Sequence, residues 1–213
     1  MQASVPPLHS RLVLTRLHLI RHGEVLNPDH LVYADLPGFR LSEQGLREAS
    51  AIAAHFATEA IDVVVASPLE RAIETASPIA EALGLPLEID DRLTEWGLLT
   101  RWAGTVWEDL ADRFPGEVAA YLDHPPELSF SPEPLDAVAA RFGAVIHDLG
   151  SDYPGGIAAL VSHQDPVQAV RLTLTGRSLS DLPLDKPRHG TVFTLEAGDP
   201  WIQTGRWDPP VSI

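Results

Sequence analysis

The chain has 213 residues, 45% of them hydrophobic, which is enough for one packed α/β domain and does not require two. It contains no cysteine, so disulfides, thiolate metal sites and cysteine nucleophiles are excluded. Fifteen basic and 30 acidic residues give a formal net charge of -15, which repels phosphate backbones and anionic lipid surfaces. We therefore expect neither nucleic acid nor a membrane as a partner.

The N-terminal segment MQASVPPLHSRLVLTRLHL lacks a basic stretch followed by a long apolar run, as an export signal would have. No other window approaches the roughly 20 apolar residues that cross a bilayer. We expect a cytoplasmic protein. The sequence does not indicate an oligomeric state.

Four short apolar runs are predicted to be strands, at residues 13–20, 61–66, 87–89 and 157–161. Such nearly continuous runs are typical of strands that are covered on both faces, and therefore of a parallel sheet. Residues 190–207 alternate between apolar and polar side chains, which predicts a hairpin of edge strands.

Helical patterns separate these runs. Ser42 is the predicted N-cap of a first helix. Ser67 and Pro68 have the form of an N-cap and first helical position for a second helix, which Pro78 should kink or break before Gly84. Apolar stripes predict a third helix over 135–149 and a fourth after Asp165 and Pro166. The alternation favours an α/β fold, a three-layer α/β/α sandwich with a mostly parallel central sheet.

Two segments do not fit this alternation: residues 27–40 and about 90–134, the latter rich in tryptophan, proline and charge. We expect a single domain over 1–213 in which 90–134 is an inserted, cap-like segment, and both segments should wall the functional site. Trp96, Trp102 and Trp107 either pack inside this cap or line an apolar pocket for a leaving group.

Polar side chains stand where the predicted strands end. Arg21 and His22 follow the first strand and His163 follows the fourth, while Arg71 lies one turn into the helix after the second. Parallel strands bring these residues to one edge of the sheet, beside a helix N-terminus. Two arginines and two histidines there predict a pocket for a doubly charged oxyanion, with phosphate the best fit.

Other readings of single residues are weaker. His18 and His22 have the i, i+4 spacing of zinc ligands on a helix, but the residues around them predict a strand, so no metal is expected. Six histidines are interpreted as surface or satisfied core residues: His9, His30, His55, His124, His147 and His189.

Four motifs in order, LIRHGE, ASPLERAIETA, DRLTEWGL and LVSHQDP, resemble the histidine phosphatase superfamily, also called the phosphoglycerate mutase-like family. The resemblance covers roughly residues 16–194. It departs from the common pattern in two places: Asn27 comes one residue early after RHGE, and Gln164 and Asp165 stand where many members have two glycines.

The resemblance implies roles for the residues of these motifs. His22 would be the nucleophile that forms a phosphohistidine, and Glu95 the general acid, with Asp91 and Glu108 as weaker candidates. The residues implied to hold the phosphate are Arg21, His22, Asn27, Arg71, His163 and Gln164. The positive charges among these residues would take the place of a metal ion, and they would favour the neutral form of His22. We therefore expect no cofactor. Gly23 would let the backbone turn sharply beside the phosphate.

The activity expected from this pattern is that of a metal-independent phosphomonoester hydrolase, a histidine acid-type phosphatase acting on a small phosphoester. The first alternative is a phosphoglycerate-mutase-type phosphotransferase, but the segment after the acid motif offers only Arg101 and Arg113 for a substrate carboxylate. The second is a catalytically silent member that binds phosphorylated ligands or a protein, although Arg21, His22, Arg71, Glu95 and His163 are all present.

Overall fold

The central sheet determines where the polar residues meet. The computed structural model describes residues 13–210, in which six strands form one sheet in the order β3-β2-β4-β1-β5-β6. The strands are β1 (Arg16–Arg21), β2 (Val63–Ala66), β3 (Leu87–Ile89), β4 (Ile157–Ser162), β5 (Val192–Glu196) and β6 (Ile202–Trp207). Strands β1 to β4 run parallel, and β5 is antiparallel to β1 and to β6. The mostly parallel sheet is confirmed.

Helices cover both faces of the sheet. They are α1 (Glu43–Phe56), α2 (Glu70–Leu83), α3 (Gly97–Trp102), α4 (Leu110–Arg113), α5 (Glu117–Asp123), α6 (Leu135–Asp152) and α7 (Gln164–Leu174). Because successive side chains of a strand point to opposite faces, Ile20 packs with α1 and α2, whereas Leu17 and Leu19 pack with α6 and α7. The three-layer sandwich is confirmed. Within residues 13–210, no helix has the length and apolar character to cross a membrane.

Residues 90–134 contain α3, α4 and α5 and build an apolar cluster of their own. Trp96, Trp102 and Tyr121 are buried in it and pack against Val138 of α6 and Leu172 of α7. Burying a large apolar side chain contributes about 1.5–3 kcal/mol, so this segment is anchored to the sandwich on the α6 and α7 side. Its description as one insertion in a single domain stays a prediction, and residues 1–12 and 211–213 of that domain, His9 among them, lie outside the described residues.

Helix α2 differs from its prediction at both prolines. It begins at Glu70 with Leu69 as its N-cap and no side-chain cap, so Ser67 is not the cap. The Ser67 hydroxyl accepts from the backbone N–H of Leu69 at 3.4 Å, one residue before the helix begins, and lies 2.7 Å from His163 Nε2 at the end of the neighbouring strand. Pro78 does not break the helix, which continues to Leu83; buried Ala76, Ile79 and Ala80 hold both sides of the proline against the sheet and offset the lost hydrogen bond.

Two further boundaries differ. The predicted C-terminal hairpin forms, but only β6 is an edge strand, because β5 also pairs with β1. Helix α7 begins at Gln164, not after Pro166; the proline lies in the first turn, where its missing N–H costs no hydrogen bond.

Candidate active site

Three parallel strands end side by side at the site. Arg21 closes β1 with His22 after it, Ser162 closes β4 with His163 after it, and Ser67 follows β2. The backbone N–H of His22 donates to the carbonyl of Ser162 at 2.9 Å, and the rings of His22 and His163 meet edge to face with centroids 5.1 Å apart. The predicted convergence of the two histidines is thus present.

The partners of His22 determine which ring nitrogen carries its proton. Nδ1 lies 2.7 Å from the carbonyl oxygen of Gly23, which only accepts hydrogen bonds, so Nδ1 is protonated. Nε2 accepts from Nε of Arg71 at 3.2 Å and therefore carries the lone pair. Burial lowers the pKa of His22 well below its usual value, and the charge of Arg71 and neighbouring His163 lower it further. His22 is a neutral imidazole with an unprotonated Nε2.

The structure shows why a residue without a side chain is required at position 23. The φ of Gly23 is not in the left-handed region, and a Cβ there would lie 2.7 Å from the carbonyl oxygen of Gly45. A Cβ on Gly45 would in turn overlap the carbonyl oxygen of Glu24. The two glycines let the segment after β1 lie directly on the start of α1, which fixes the backbone beside His22.

Arg71 reaches the site from the first turn of α2. Its side chain is buried, its Nη2 donates to the carbonyl of Ala34 at 2.7 Å, and its guanidinium carbon lies 4.7 Å from the centroid of the Tyr33 ring. Burial lowers its pKa from the usual value, but an arginine stays charged. No ion pair to a carboxylate is found for Arg71 in residues 13–210, so its charge is available to a ligand.

Arg21 is held by uncharged acceptors only. Its Nη1 donates to Gln164 Oε1 at 2.5 Å and to the carbonyl of Pro187 at 2.9 Å, and its Nη2 lies 2.8 Å from Nε2 of His189. Its Nε is buried without a partner, as is Nδ1 of His163. An unpaired buried polar group costs about 1–3 kcal/mol, and a bound oxyanion would relieve that cost at Arg21.

Glu95 lies in the same pocket as His22 and is buried. Burial raises its pKa to about 7, and the nearby charge of Asp165 adds to the rise, while Arg71 opposes it. Its Oε1 accepts from the backbone N–H of Trp96 at 2.8 Å. A carboxylic acid that is half protonated near neutral pH suits a proton donor.

The pocket, of about 330 Å³, brings together most of the predicted residues. Arg21, His22, Asn27, Glu95 and Gln164 all line it. The amide of Asn27 is occupied on both sides by the backbone of Leu31, at 2.9 and 3.1 Å; the residue therefore shapes the loop of residues 27–40 within the wall. Of the weaker acid candidates, Glu108 lines the mouth and Asp91 is exposed outside it.

The tryptophans divide between the two roles considered for them. Trp96 and Trp102 are buried inside the cap-like segment, and their indole N–H groups donate to Glu133 and Glu117. Trp107 is 46% exposed and lines the pocket. One of the three is thus placed to meet a ligand.

Two residues near the site were missed from the sequence. His189, interpreted as an ordinary histidine, contacts Arg21, and its ring lies 5.6 Å from that of His22; burial, with Arg21 next, lowers its pKa to about 3. Arg141 of α6 donates to the carbonyls of Arg92, Thr94 and Glu95. No sequence signal could have identified Arg141, because its partners are 46 to 49 residues away. His189 could have been identified from its position just before a glycine and a strand.

The chain was compared with known proteins. The model of the histidine phosphatase superfamily (branch 1) matches residues 17–206. An uncharacterized protein of Mycobacterium tuberculosis is 40% identical over 78% of this chain and 81% of its own. Phosphoserine phosphatase 1 of Hydrogenobacter thermophilus is 30% identical over 78% of this chain and 79% of its own.

A solved structure gives the same result at the level of the fold. The mycobacterial glucosyl-3-phosphoglycerate phosphatase in complex with VO3 superimposes with a TM-score of 0.81 at 25% identity, over 92% of this chain and 100% of that one. Phosphatases and a phosphoglycerate mutase are both among the matching proteins. The order of the motifs, the fold and the family model agree: the chain belongs to the histidine phosphatase superfamily, branch 1.

Proposed function

We propose that the protein is a metal-independent phosphomonoester hydrolase that acts on a small phosphorylated substrate through a phosphohistidine at His22. The observation that carries the proposal is the fixed tautomer of His22, whose Nε2 lone pair faces Arg71, in one pocket with a carboxylic acid whose pKa is about 7. The proposed nucleophile and the proposed proton donor thus line the same pocket.

In the first step, Nε2 of His22 forms a bond to phosphorus while the bond from phosphorus to the leaving oxygen breaks. Arg71 Nε, which lies 3.2 Å from Nε2 of His22, then donates to a phosphoryl oxygen, as does the unpartnered Nε of Arg21. These cations stabilise the charge on the equatorial oxygens, the main requirement of phosphoryl transfer. Glu95 gives its proton to the leaving oxygen, so an alcohol departs.

In the second step, water attacks the phosphohistidine. Glu95, now a carboxylate, takes a proton from that water, the bond from phosphorus to Nε2 breaks, and phosphate leaves. The cycle returns Glu95 to its acid form and His22 to its neutral form. Because the first step needs protonated Glu95, turnover of substrates with poor leaving groups is favoured below about pH 7, as in an acid-type phosphatase.

Two features argue against the mutase and the silent member. Arg101, a candidate for binding a substrate carboxylate, is paired with Glu117 at 2.8 Å, and Arg113 is exposed; neither lines the pocket. A silent member that only binds a phosphorylated ligand has no need of an acid whose pKa is raised to about 7, in the same pocket as His22. Hydrolysis is therefore the preferred activity.

The test is phosphate release from p-nitrophenyl phosphate in the presence of EDTA. We compare wild type with His22→Ala and with His147→Ala, an exposed histidine of α6 that serves as matched control. The proposal predicts chelator-resistant turnover that is lost only in His22→Ala. Turnover that needs added metal, or that survives in His22→Ala, contradicts it. Transfer of the phosphoryl group from His22 to the hydroxyl of an added acceptor, without release of phosphate, would instead indicate a mutase.

A further inference from the structure

We propose that the alcohol part of the substrate has an apolar body and carries no negative charge, and that a positive charge on it is favoured. The inference rests on the proposed function and specifies its substrate class. It follows from the direction of the leaving group and from the residues that line its path.

The position of the acid gives the direction. The leaving oxygen must lie within hydrogen-bond reach of the carboxyl group that protonates it. Glu95 opens into the pocket of about 330 Å³ and not into the groove on the other side of Arg21, which is lined by Lys186, Arg188 and His189. The alcohol therefore extends from the phosphate into the pocket beneath the cap-like segment.

The far wall of this pocket is apolar and aromatic. Leu31 and Val32 of the 27–40 loop line it on one side, and Leu99 and Trp107 of the cap-like segment on the other. The two sides are joined, because Val32 N–H donates to the carbonyl of Thr105 at 2.8 Å and Trp107 N–H to that of His30 at 2.9 Å. Such a wall binds hydrocarbon surface, and the exposed face of an indole also attracts a cation.

The charges along the same path are negative. Glu108 lies at the mouth with its side chain 59% exposed and its pKa lowered by a hydrogen bond from His30. Asp165 lines the wall and is buried. Arg21 is the one guanidinium or ammonium group in the lining that the described residues provide, and it faces the phosphate.

Lys186 lies behind this wall and is already paired. Its ammonium group is tied to Asp165 at 3.0 Å and to the hydroxyl of Tyr121 at 2.5 Å, and it does not line the pocket. Because Lys186 offsets the charge of Asp165, a carboxylate or second phosphate on the alcohol would meet the carboxylate of Glu108 at the mouth. Among the described residues, no guanidinium or ammonium group of the lining except Arg21 could bind it there. Like charges placed side by side in a binding site disfavour the complex.

The experiment compares three phenyl phosphates that differ in the charge of the para substituent: 4-(aminomethyl)phenyl, 4-ethylphenyl and 4-(carboxymethyl)phenyl phosphate. A methylene separates each charge from the ring, so the leaving oxygens are chemically similar. We expect kcat/KM to be highest for the ammonium ester and about tenfold lower for the carboxylate ester than for the neutral one at low salt. The difference should shrink as salt is added, because the mouth is exposed.

Three variants locate the effect. Glu108→Arg should bring the carboxylate ester at least level with the neutral one, whereas Glu81→Arg, the same change on an exposed glutamate of α2 far from the pocket, should leave the ratio unchanged. Trp107→Ala should lower kcat/KM for the neutral ester several-fold through loss of apolar contact.

Three results overturn the inference: equal turnover of the three esters, a preference for the carboxylate ester, or a ratio that Glu81→Arg changes as much as Glu108→Arg. A carboxylate preference that Arg188→Ala abolishes would place the alcohol in the groove on the other side of Arg21. All of these results presuppose turnover that depends on His22. They are therefore distinct from failure of the proposed function, in which no ester is hydrolysed, or hydrolysis needs added metal or survives in His22→Ala.

Discussion

The phosphate side of the pocket is lined by residues at the ends of β1 and β4, with the end of β2 and the start of α2 packed behind them. Its leaving-group side is lined by residues of the segments 27–40 and 90–134. On the first side, backbone hydrogen bonds of the sheet place His22 and His163. On the second, side chains of distant residues such as Arg141 hold the loop that carries Glu95. The backbone hydrogen bonds of the sheet thus hold the nucleophile in place, whereas a few side-chain hydrogen bonds hold the acid.

This difference predicts graded effects. Changes on the phosphate side should lower turnover of every ester alike, because every substrate carries the same phosphoryl group. Changes on the leaving-group side should depend on how much the departing alcohol needs a proton and on its shape. Each variant below is therefore assayed with p-nitrophenyl phosphate, a good leaving group, and with a simple alkyl phosphate, a poor one.

The largest effect is expected for Arg71→Met. Removing one preorganised donor from a developing oxyanion lowers kcat by about 10²–10³-fold, and here the loss should be the same for both esters. Arg47→Met, an exposed arginine of α1, is the matched control. Steady-state kinetics on variants shown to be folded by circular dichroism decide the matter; a loss confined to the alkyl ester would contradict a phosphate role.

Glu95→Gln comes second and should separate the two esters. Loss of a general acid costs roughly 10²-fold or more for the alkyl phosphate and little for the nitrophenyl ester, whose leaving oxygen needs no proton. In wild type, alkyl turnover should fall as pH rises through about 7, where Glu95 ionises, and the variant should lack this limb. An equal loss for both esters would contradict the role of Glu95 as proton donor.

The same variant has a second readout in stability. Because the folded-state pKa of Glu95 is raised above its usual 4.5 to about 7, its neutral form contributes stability that is lost as pH rises through that range. Glu95→Gln cannot ionise, so its melting temperature relative to wild type should increase between pH 5 and 8. A relative melting temperature that does not change with pH would show that burial does not perturb this carboxyl group.

Arg141→Gln is expected to have a smaller effect, about tenfold on kcat for the alkyl ester, because loosening a loop by about 1 Å misplaces the acid without removing it. Arg141 acts as a positioning residue through the carbonyls it binds. The pH limb near 7 should persist, unlike in Glu95→Gln. Arg177→Gln, in an exposed ion pair with Asp181, is the control, and a disappearance of the limb would assign Arg141 a direct role instead.

The smallest effect is expected for His189→Ala. Its Nε2 accepts from Arg21, so its loss should raise KM for both esters several-fold while kcat changes less, since Arg21 keeps two other acceptors. His189→Gln retains an acceptor and should restore much of the affinity. A change in kcat alone, or no rescue by glutamine, would argue that His189 does not act by orienting Arg21.

The parts of the site that could be predicted from the sequence are those next to strand ends. Arg21, His22 and His163 each follow an apolar run, and the rule that parallel strands end at one edge brings them together. The loss of Ser67 as a helix cap could not be foreseen, because its competing partner, His163, is 96 residues away. The same holds for Arg141, whose role depends on tertiary hydrogen bonds that leave no local pattern.

Side-chain and backbone packing explains two features that could not be predicted from the sequence. Gly23 was predicted to let the backbone turn sharply beside the phosphate, which stays a prediction, and no pattern in the sequence indicated its close contact with Gly45. Pro78 was expected to interrupt α2, but its neighbours are buried against the sheet. The cytoplasmic location and the single-domain organisation stay predictions.

The most direct measurement of the central claim is trapping of the phosphoenzyme. Wild type is mixed with a phosphate-labelled ester in the presence of EDTA, quenched in base within one turnover, and mapped by mass spectrometry. We expect label on the peptide that contains His22, formed and released at least as fast as turnover, and none in His22→Ala. Turnover by wild type with no label on His22, or with label on another residue, would contradict it.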